Sequence, residues 1–240
     1  MKIFIDDTYE AMSKRVADDV INIMQPLSQP LFVAASGDSP KGLYKELAQR
    51  NNASLIDISN WYFLGLDEWI GLDANDEGSC RYMLNKDLFF PLHVKEEKIC
   101  CFNGKTNNAD DECNRIENFI QQHNGIDAAI LGLGINGHIG LNEPGTSPSL
   151  YSHVSEIAET TKTVGQKYFS KPQTLTKGIT LGLATLMEAK HLILIVSSEK
   201  KASILKQALQ HSTTGNIPAT LIRDHPNFYV YADKDAAKFL

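Results

Sequence analysis

Cysteine is scarce in this sequence of 240 residues, and the few that occur form no recognisable framework. The four cysteines are Cys80, Cys100, Cys101 and Cys113, and their spacing is not that of a zinc site. Neighbours in sequence such as Cys100 and Cys101 do not easily bridge to each other. We therefore expect reduced, structural thiols and no metal site, as is usual in a reducing compartment.

Long apolar runs and an excess of positive charge are missing as well. The formal net charge is −6, so no basic surface recommends nucleic acid or an anionic membrane as a partner. No uninterrupted apolar stretch approaches bilayer length, and the opening MKIFIDDTYE places acids directly after a short apolar run, unlike a secretory signal. We expect a cytoplasmic protein that acts on a small molecule.

The sequence has no internal repeat; short apolar runs alternate with longer segments of helical period. This alternation is typical of βαβ units and of a mostly parallel sheet. The predicted strands are Met1–Ile5, Leu31–Ala35, Tyr62–Leu66, Ala128–Leu133, Leu192–Val196 and Phe228–Ala232. Several are apolar at nearly every position, as strands covered on both faces are. We predict one α/β domain over residues 1–240, a doubly wound, mostly parallel open sheet (Rossmann-like) with helices on both faces.

Two helices between these strands are marked clearly. Thr8–Met24 has apolar residues at spacings of three and four, among them Met12, Val16 and Val20. Pro40–Ala48 begins with proline, which suits a first helical turn because its missing N–H would be unpaired there. In doubly wound sheets ligands bind beyond the carboxyl ends of the strands, so functional residues are expected in the loops that follow the strands.

The loop after the strand Leu31–Ala35 has the composition of an anion-binding turn. It contains Ser36, Gly37, Asp38 and Ser39 and leads directly into a predicted helix. The glycine lets the main chain approach a ligand, the serine hydroxyls can donate, and the free N–H groups of a helix start favour a phosphate. The carboxylate of Asp38 would repel a dianion, so we expect it to point to solvent or to cap the helix. An ordinary strand-to-helix turn is the alternative.

Two carboxylates, Asp67 and Glu68, follow the strand Tyr62–Leu66. A strand end can hold a carboxylate rigidly in a cleft, where burial raises its pKa toward the range useful for a general base. The alternative is that both are solvated turn acids. Trp69, the next residue, either walls a pocket or is an ordinary core or surface aromatic.

The run LGLGINGHIGLNEPG, at residues 131–145, is the most informative segment. Glycines on both sides of His138 allow sharp turns, and Asn136 and Glu143 are near enough in sequence to orient the imidazole within one loop. A carboxylate partner would keep that imidazole basic near neutral pH. The segment therefore predicts a proton-transfer site.

A dinucleotide-binding fingerprint is the competing interpretation of this run. Gly132, Gly134 and Gly137 have the G-x-G-x-x-G spacing. However, the run lies mid-chain, and no acidic residue follows a second strand at the distance a ribose ligand would need. The polar, threonine-rich segment 154–163 occupies that place, which disfavours a nicotinamide cofactor.

These segments, in this order, resemble the glucosamine-6-phosphate deaminase/isomerase family from about Ser36 to Asp233. The similar stretches are LDEW, LGLGINGHIGLNEPG, KGITLGLATLMEAKHLILIV and IPATLIRDHPNFYVYAD. The resemblance implies that an amino-sugar 6-phosphate is converted into a ketose 6-phosphate and ammonia, without a redox cofactor or a metal.

The resemblance also implies roles for the loop residues. Asp67 would be the enolisation base, His138 the ring-opening residue, and Glu143 with Asn136 its partners. Many family members have aspartate at the position of Asn136. The asparagine can hydrogen-bond the loop but adds no negative charge, so His138 would depend more on Glu143 for its basicity.

On the phosphate side the sequence departs from the family. Where members commonly have an arginine after the histidine loop, this chain has His153 and Lys162, and the sequence does not decide between them. A family lysine after the strand Leu192–Val196 is matched best by Lys201, with Lys200 as an adjacent rival. Because a lysine supplies a point charge rather than a fork, phosphate binding should depend on Lys201 and the main chain of the first loop.

Several alternatives stay open. Glucosamine and galactosamine 6-phosphates differ only at C4, and LDEW and KGITLGL look somewhat like the galactosamine branch. A 6-phosphogluconolactonase would use the same fold with His138 activating water, although such enzymes typically continue GHxAS and lack the NEPG ending. A catalytically silent sugar-phosphate sensor is a third reading, although it would normally have lost the acid/base residues. Whether the chain forms a homo-oligomer is also open.

Overall fold

A computed structural model describes residues 1–240, which form ten strands and seven α-helices. Along the chain the strands are β1 (Lys2–Asp6), β2 (Leu31–Ala34), β3 (Tyr62–Gly65), β4 (Asp67–Trp69), β5 (Ile99–Cys100), β6 (Ala128–Gly132), β7 (His153–Glu156), β8 (Lys177–Thr180), β9 (Leu192–Val196) and β10 (Phe228–Asp233). The helices are α1 (Tyr9–Met24), α2 (Lys41–Asn52), α3 (Cys80–Leu84), α4 (Ala109–Gln122), α5 (Glu159–Gly165), α6 (Leu183–Met187) and α7 (Ala202–Gln210). None of these helices combines the length and the apolar character needed to span a bilayer.

Seven strands form one sheet in the order β1-β10-β9-β6-β2-β3-β5, and every neighbouring pair is parallel. From β2 the chain first adds β3 and β5 on one side, and later adds β6, β9 and β10 on the other. The two directions of winding diverge between β2 and β6, and a crevice opens beyond the strands at such a point. The predicted doubly wound, mostly parallel sheet is confirmed.

Apolar side chains cover both faces of the central strands of this sheet, which explains why those strands carry so few polar residues. In β2, Leu31 and Val33 face one side and Phe32 and Ala34 the other, and all are fully buried. Helices α4, α6 and α7 pack on the first face, and α1 and α2 on the second. Full burial of a large apolar side chain contributes about 1.5–3 kcal/mol, so the strands are fixed by the layers above and below them.

The two predicted helices differ in how well their limits were foreseen. Thr8 caps α1, its Oγ1 accepting a hydrogen bond from the N–H of Ala11 at 3.1 Å, so the predicted start and end are confirmed. In α2, Pro40 precedes the first helical residue instead of lying in the first turn. The helix also continues past Ala48 to Asn52, because no breaking residue interrupts it there.

A second sheet of three antiparallel strands, in the order β4-β8-β7, was not predicted. In it Asp67 pairs with Thr180, so Asp67–Trp69 is a strand and not a turn that ends one. Leu66 lies between the two sheets: its N–H donates to Ala34 O in the large sheet, and its carbonyl accepts from the N–H of Leu181. Backbone hydrogen bonds to both sheets therefore fix Leu66, and with it the position of the two carboxylate residues that follow, Asp67 and Glu68.

Candidate active site

A cleft of about 650 Å³ lies beyond the carboxyl ends of β2, β3, β6 and β9, at the divergence of the sheet. Its walls are the loops after these strands, together with α5 and the 3₁₀ turn Gln166–Tyr168. The volume is ordinary for a small-molecule site. Most of the predicted site residues line it, namely Ser36, Gly37, Asp38, Ser39, Asp67, His138 and Lys201, whereas Asn136 and Glu143 do not.

The loop after β2 presents main-chain donors to the cleft. The N–H groups of residues 36–39 donate to no acceptor within the protein, and α2, which follows, has no side-chain cap. Gly37 has φ +104°, a left-handed conformation that glycine adopts without strain. Tyr9 braces the loop, since its Oη accepts from the N–H of Gly42 at 2.7 Å and lies 3.1 Å from the carbonyl oxygens of Asp38 and Ser39. Such an arrangement can accept an anion.

Asp38 stands on the same loop with its side chain about half exposed (55%). Its carboxylate does not cap α2 but accepts from Lys41 Nζ at 2.9 Å and from Lys167 Nζ at 2.6 Å. Partial burial tends to raise the pKa of this carboxyl, but the two ammonium groups outweigh it and the pKa lies below its ordinary value. A negative charge therefore stands at the anion-binding end of the cleft.

Asp67, the first residue of β4, is partly buried and faces the cleft. Burial raises the pKa of its carboxyl to about 6, against the opposing effects of the Cys80 thiol and of His138. Gly140 (φ +57°) allows the histidine loop to approach, because a Cβ there would stand 3.5 Å from Asp67 Oδ2 and closer still to Thr180 Oγ1. A carboxylate in this position can take up a proton near neutral pH.

Glu68 points away from the cleft and is fully enclosed, with 1% of its surface exposed. Its carboxylate accepts from the N–H groups of Trp69, Cys80 and Arg81 at 2.8–2.9 Å, which fixes the start of α3 against β4. Burial raises the pKa of Glu68 to about 7 in spite of these donors. Of the two adjacent carboxylates, one faces the cleft and the other is structural, while Trp69 lines the cleft and is buried.

The loop after β6 holds the imidazole of His138 against its own main chain. The ring packs on Gly134, where any Cβ would collide with it. A turn closed by the hydrogen bond from Gly137 N–H to Gly134 O, with Gly137 at φ +85°, brings the chain back over itself. Asn136 Oδ1 accepts from the N–H of His138 at 3.2 Å. The glycines thus set the ring position by allowing close approach.

Two polar groups lie beside Nδ1 of His138. Thr161 Oγ1 hydrogen-bonds it at 3.1 Å, and Glu143 Oε2 lies 3.6 Å away and accepts from Asn136 Nδ2 at 2.8 Å. Burial alone would raise the pKa of Glu143, but its contacts with His138, Thr161 and Asn136 hold the pKa below its ordinary value. The carboxylate is therefore ionised beside the ring, and Nε2 is left without a protein partner. Nothing in the sequence singled out Thr161.

The lysines divide into those at the cleft and those outside it. Lys201 is partly buried and donates to Leu133 O at 2.6 Å, and burial, aided by repulsion from Lys167, lowers its pKa to about 8. Lys200 is exposed at the rim. Lys162 pairs with Glu159 outside the cleft. The lysine that the segment after the histidine loop does bring to the cleft is Lys167.

His153, the other residue weighed for that place, lies in β7 with Nδ1 near Tyr151 O and does not line the cleft. Neither His153 nor Lys162 therefore lies at the cleft, whereas Lys167 does. Lys167 could not be predicted from the sequence, because a lysine in a polar segment has no feature that separates a binding residue from an ordinary surface residue. Only the fold of α5 and the following turn brings it opposite the first loop.

The loop after β9 contains strained backbone. Ser198 lines the cleft with φ +82°, a conformation that non-glycine residues adopt at a cost of order 1–3 kcal/mol. Asp233 holds it there: both carboxylate oxygens accept from the N–H of Ser198, each at 3.2 Å. The strained turn aims the start of α7, and with it Lys201, over the cleft.

Neither a metal centre nor a dinucleotide fingerprint is built by these residues. No group of three or more His, Cys, Asp or Glu side chains is arranged to hold a metal ion. The glycines after β6 lead into a loop, and the next helix begins only at Glu159. A dinucleotide site needs a helix N-terminus directly after such glycines, so the competing interpretation is not supported.

Comparison with known proteins shows the family of this chain. Residues 6–230 match the family model described as glucosamine-6-phosphate isomerases/6-phosphogluconolactonase. The chain belongs to this family. Among curated members, the glucosamine-6-phosphate deaminase of Clostridium perfringens is 34% identical over 241 residues and covers the whole of both chains. That of Oceanobacillus iheyensis is 35% identical over 237 residues, covering 98% of this chain and 95% of its own.

Solved structures of the glucosamine-6-phosphate isomerase/6-phosphogluconolactonase family show the same fold. A monomeric glucosamine-6-phosphate deaminase superposes with a TM-score of 0.96 at 28% identity, covering 100% of both chains. The 6-phosphogluconolactonase of Trypanosoma brucei superposes with a TM-score of 0.77 at 18% identity, covering 100% of this chain and 98% of its own. At that identity the second likeness shows the shared fold alone.

Proposed function

We propose that this protein converts an amino-sugar 6-phosphate into the corresponding ketose 6-phosphate and ammonia. The observation that carries the proposal is one cleft that joins a raised-pKa carboxylate, Asp67, to a histidine backed by an ionised carboxylate, His138 with Glu143. A proton must move twice in this reaction, once to open the sugar ring and once between carbon atoms. Two separate acid/base groups meet that need.

The phosphate would occupy the end of the cleft formed by the first loop and the lysines. The unpaired N–H groups of residues 36–39 supply fixed donors, while Lys201 and Lys167 supply charge. The low pKa of Lys201, caused by its burial and by Lys167, would rise when a dianion arrives between the two ammonium groups. Fixing the phosphate would hold C1 and C2 of the sugar near Asp67.

Ring opening is assigned to His138. Its Nε2 is the free ring nitrogen, since Thr161 and Glu143 surround Nδ1. In this role the imidazole takes the proton of the anomeric hydroxyl and gives one to the ring oxygen as the C1–O bond breaks. Glu143 stabilises the imidazolium that forms between the two transfers.

Proton transfer between carbons is assigned to Asp67. Its carboxylate removes the C2 proton of the open aldehyde while a proton of the C2 ammonium group passes to O1, giving an enolamine, and then returns the proton to C1, giving an iminium ion at C2. Water then adds to C2, and ammonia leaves as the ketone forms. The pKa of about 6 keeps the group ionised at neutral pH yet able to hold the proton between the two steps.

The substrate proposed first is glucosamine 6-phosphate, because the named deaminases at 34–35% identity act on it. Galactosamine 6-phosphate is the second candidate, favoured by the LDEW and KGITLGL segments. A lactonase would need one base to activate water and would leave the buried carboxylate of Asp67 without a task. A sensor that binds the sugar without turnover would not require the pKa of that carboxyl to be raised.

The test is to measure ammonia release from both amino-sugar phosphates and hydrolysis of 6-phosphogluconolactone, by the same enzyme preparation. We expect ammonia from at least one amino sugar and a loss of roughly 10²–10⁴-fold in Asp67→Asn. Lactone hydrolysis without ammonia release would establish the lactonase instead. Substrate binding without either reaction would establish the sensor.

A further inference from the structure

Asp38 is out of place in a site for a dianion. It stands between Gly37 and Ser39, within a stretch that lines the cleft and whose N–H groups have no acceptor in the protein. Every other charged side chain that lines this end of the cleft is a lysine: Lys167, Lys200 and Lys201. A carboxylate among them opposes the field that attracts a phosphate.

The carboxylate of Asp38 is fully engaged by two of the cations. Oδ1 accepts from Lys41 Nζ at 2.9 Å and Oδ2 accepts from Lys167 Nζ at 2.6 Å. Lys41 belongs to α2, three residues along, whereas Lys167 belongs to the turn after α5. The second pair therefore joins two separate walls of the cleft through one charge.

Lys167 has no other ionic partner than Asp38. Its ammonium also lies over the ring of Tyr168, 4.8 Å from the centroid. Partial burial tends to lower the pKa of Lys167, yet Asp38 keeps it raised, so the ammonium stays charged while the pair is intact. Any anion that binds here must take over that ammonium or do without it.

We infer that Asp38 weakens phosphate binding by competing for Lys167: its carboxylate holds Lys167 in the free protein, and a bound phosphate must displace it. The inference rests on the proposed function, which puts the phosphate at this end. A small anion gains only the loop N–H groups and the lysines, and the repulsion cancels part of that gain. The same repulsion acts on the phosphate of a sugar phosphate, which still binds because the sugar adds contacts of its own, so Asp38 lowers the affinity of the site for both anions.

If Asp38 instead positions Lys167 for the phosphate, its removal should change phosphate affinity in the opposite direction. If the carboxylate served only to hold Lys167 where the phosphate needs it, its removal would weaken phosphate binding. If it competes, its removal tightens binding. Near a protein surface, and with Asp38 half exposed, one such charge acting on a dianion changes affinity by roughly three- to tenfold.

The experiment titrates inorganic phosphate into wild type, Asp38→Asn and Asp38→Glu, with isothermal calorimetry in low salt and again in 0.5 M NaCl. Asp87→Asn is the matched control, since that carboxylate lies 3.9 Å from Lys41 Nζ but does not line the cleft. We expect Asp38→Asn to bind phosphate about three- to tenfold more tightly in low salt, with the gain shrinking in high salt as charge is screened. Asp38→Glu and Asp87→Asn should stay near wild type.

Weaker or unchanged binding in Asp38→Asn overturns the inference, as does a gain that salt does not reduce. Binding that appears only in the variant supports it, and no detectable binding in either protein overturns it. Thermal melting establishes that each variant is folded. With sugar phosphate, KM should fall in Asp38→Asn.

The phosphate titration needs no turnover, so the two proposals fail separately. A protein that releases no ammonia but binds phosphate more tightly as Asp38→Asn keeps this inference and loses the proposed function. A protein that releases ammonia, but whose phosphate affinity is the same with and without the Asp38 carboxylate, keeps the proposed function and loses this inference.

Discussion

Asp67→Asn should stabilise the fold at neutral pH while removing most of the activity. The substitution keeps the size of the side chain and replaces a carboxylate that burial makes difficult to ionise. In the folded protein this carboxyl keeps its proton up to a pH of about 6, whereas in the unfolded chain it loses it near 3.9. Between these values the unfolded state releases a proton that the folded state retains, so wild-type stability falls as the pH rises.

The size of this effect follows from the shift. A rise in the pKa from 3.8 to about 6 is roughly two units, and each unit corresponds to about 1.36 kcal/mol. The full difference is about 3 kcal/mol and is reached above pH 6. Because Asp67 is still partly open to the cleft, water reduces the penalty and we take this value as the ceiling. The asparagine carries no charge, so its contribution does not change with pH.

The assay is urea unfolding of wild type and Asp67→Asn at a series of pH values from about 4 to 8. The free energy of unfolding of the variant, minus that of wild type, should rise through the interval and level off above pH 6. Asp235→Asn, at an exposed position, should give a difference that does not grow. A flat difference for Asp67→Asn would refute the claim that burial raises the pKa of this group. Proton exchange at C1 and C2 that persists at the wild-type rate in the variant would refute its role as the base.

Three further changes test the other loops. Lys201→Ala should raise KM for the sugar phosphate more than Lys200→Ala does, because only Lys201 is partly buried over the cleft; steady-state kinetics decides, and the reverse order would move the contact to Lys200. His138→Gln should reduce ammonia release by roughly 10²–10⁴-fold. Because fructose 6-phosphate has a large open-chain fraction, the same variant should largely preserve proton exchange at C1 of this sugar in the presence of ammonium. A loss of exchange equal to that in Asp67→Asn would contradict the separate roles. Ser198→Gly should raise the free energy of unfolding by about 1 kcal/mol in urea titrations, since it relieves a strained φ; a lower value would mean that the serine hydroxyl contributes more than the strain costs.

Most of the large sheet could be predicted because its central strands obey a rule visible in one sequence, whereas the two-residue edge strand β5 was not predicted. Strands such as β2 and β9 are buried on both faces, so they are apolar at every position. The strands β4, β7 and β8 obey no such rule. They have three or four residues each and include charged side chains, and they exist because tertiary packing pairs them.

The same limit applies to the cleft. The sequence led to Asp67 and His138 because strand ends and glycine-rich turns mark where a parallel sheet exposes its loops. It did not lead to Thr161 or Lys167, whose segment reaches the cleft only by folding back over it. Nor could the sequence show which of Asp67 and Glu68 faces the cleft, because the structural role of Glu68 depends on hydrogen bonds that its carboxylate accepts from N–H groups at the start of α3.

The spacing of the sheet explains which side chains the cleft uses at each loop. In the strand order β9-β6-β2-β3, the loop with Lys201 and the anion-binding loop after β2 are separated by the histidine loop. Neighbouring strands lie about 4.8 Å apart, so roughly 10 Å separates the two loops that would share a phosphate. A long side chain is needed to span such a gap, and Lys201 reaches from the loop after β9 to the start of the histidine loop, where it donates to Leu133 O. Asp67 has a short side chain, and the approach of Gly140 is what brings the histidine loop within its reach. The long side chain of Lys201 and the missing side chain of Gly140 are thus two ways in which groups on separate loops come together across the fixed spacing of the strands.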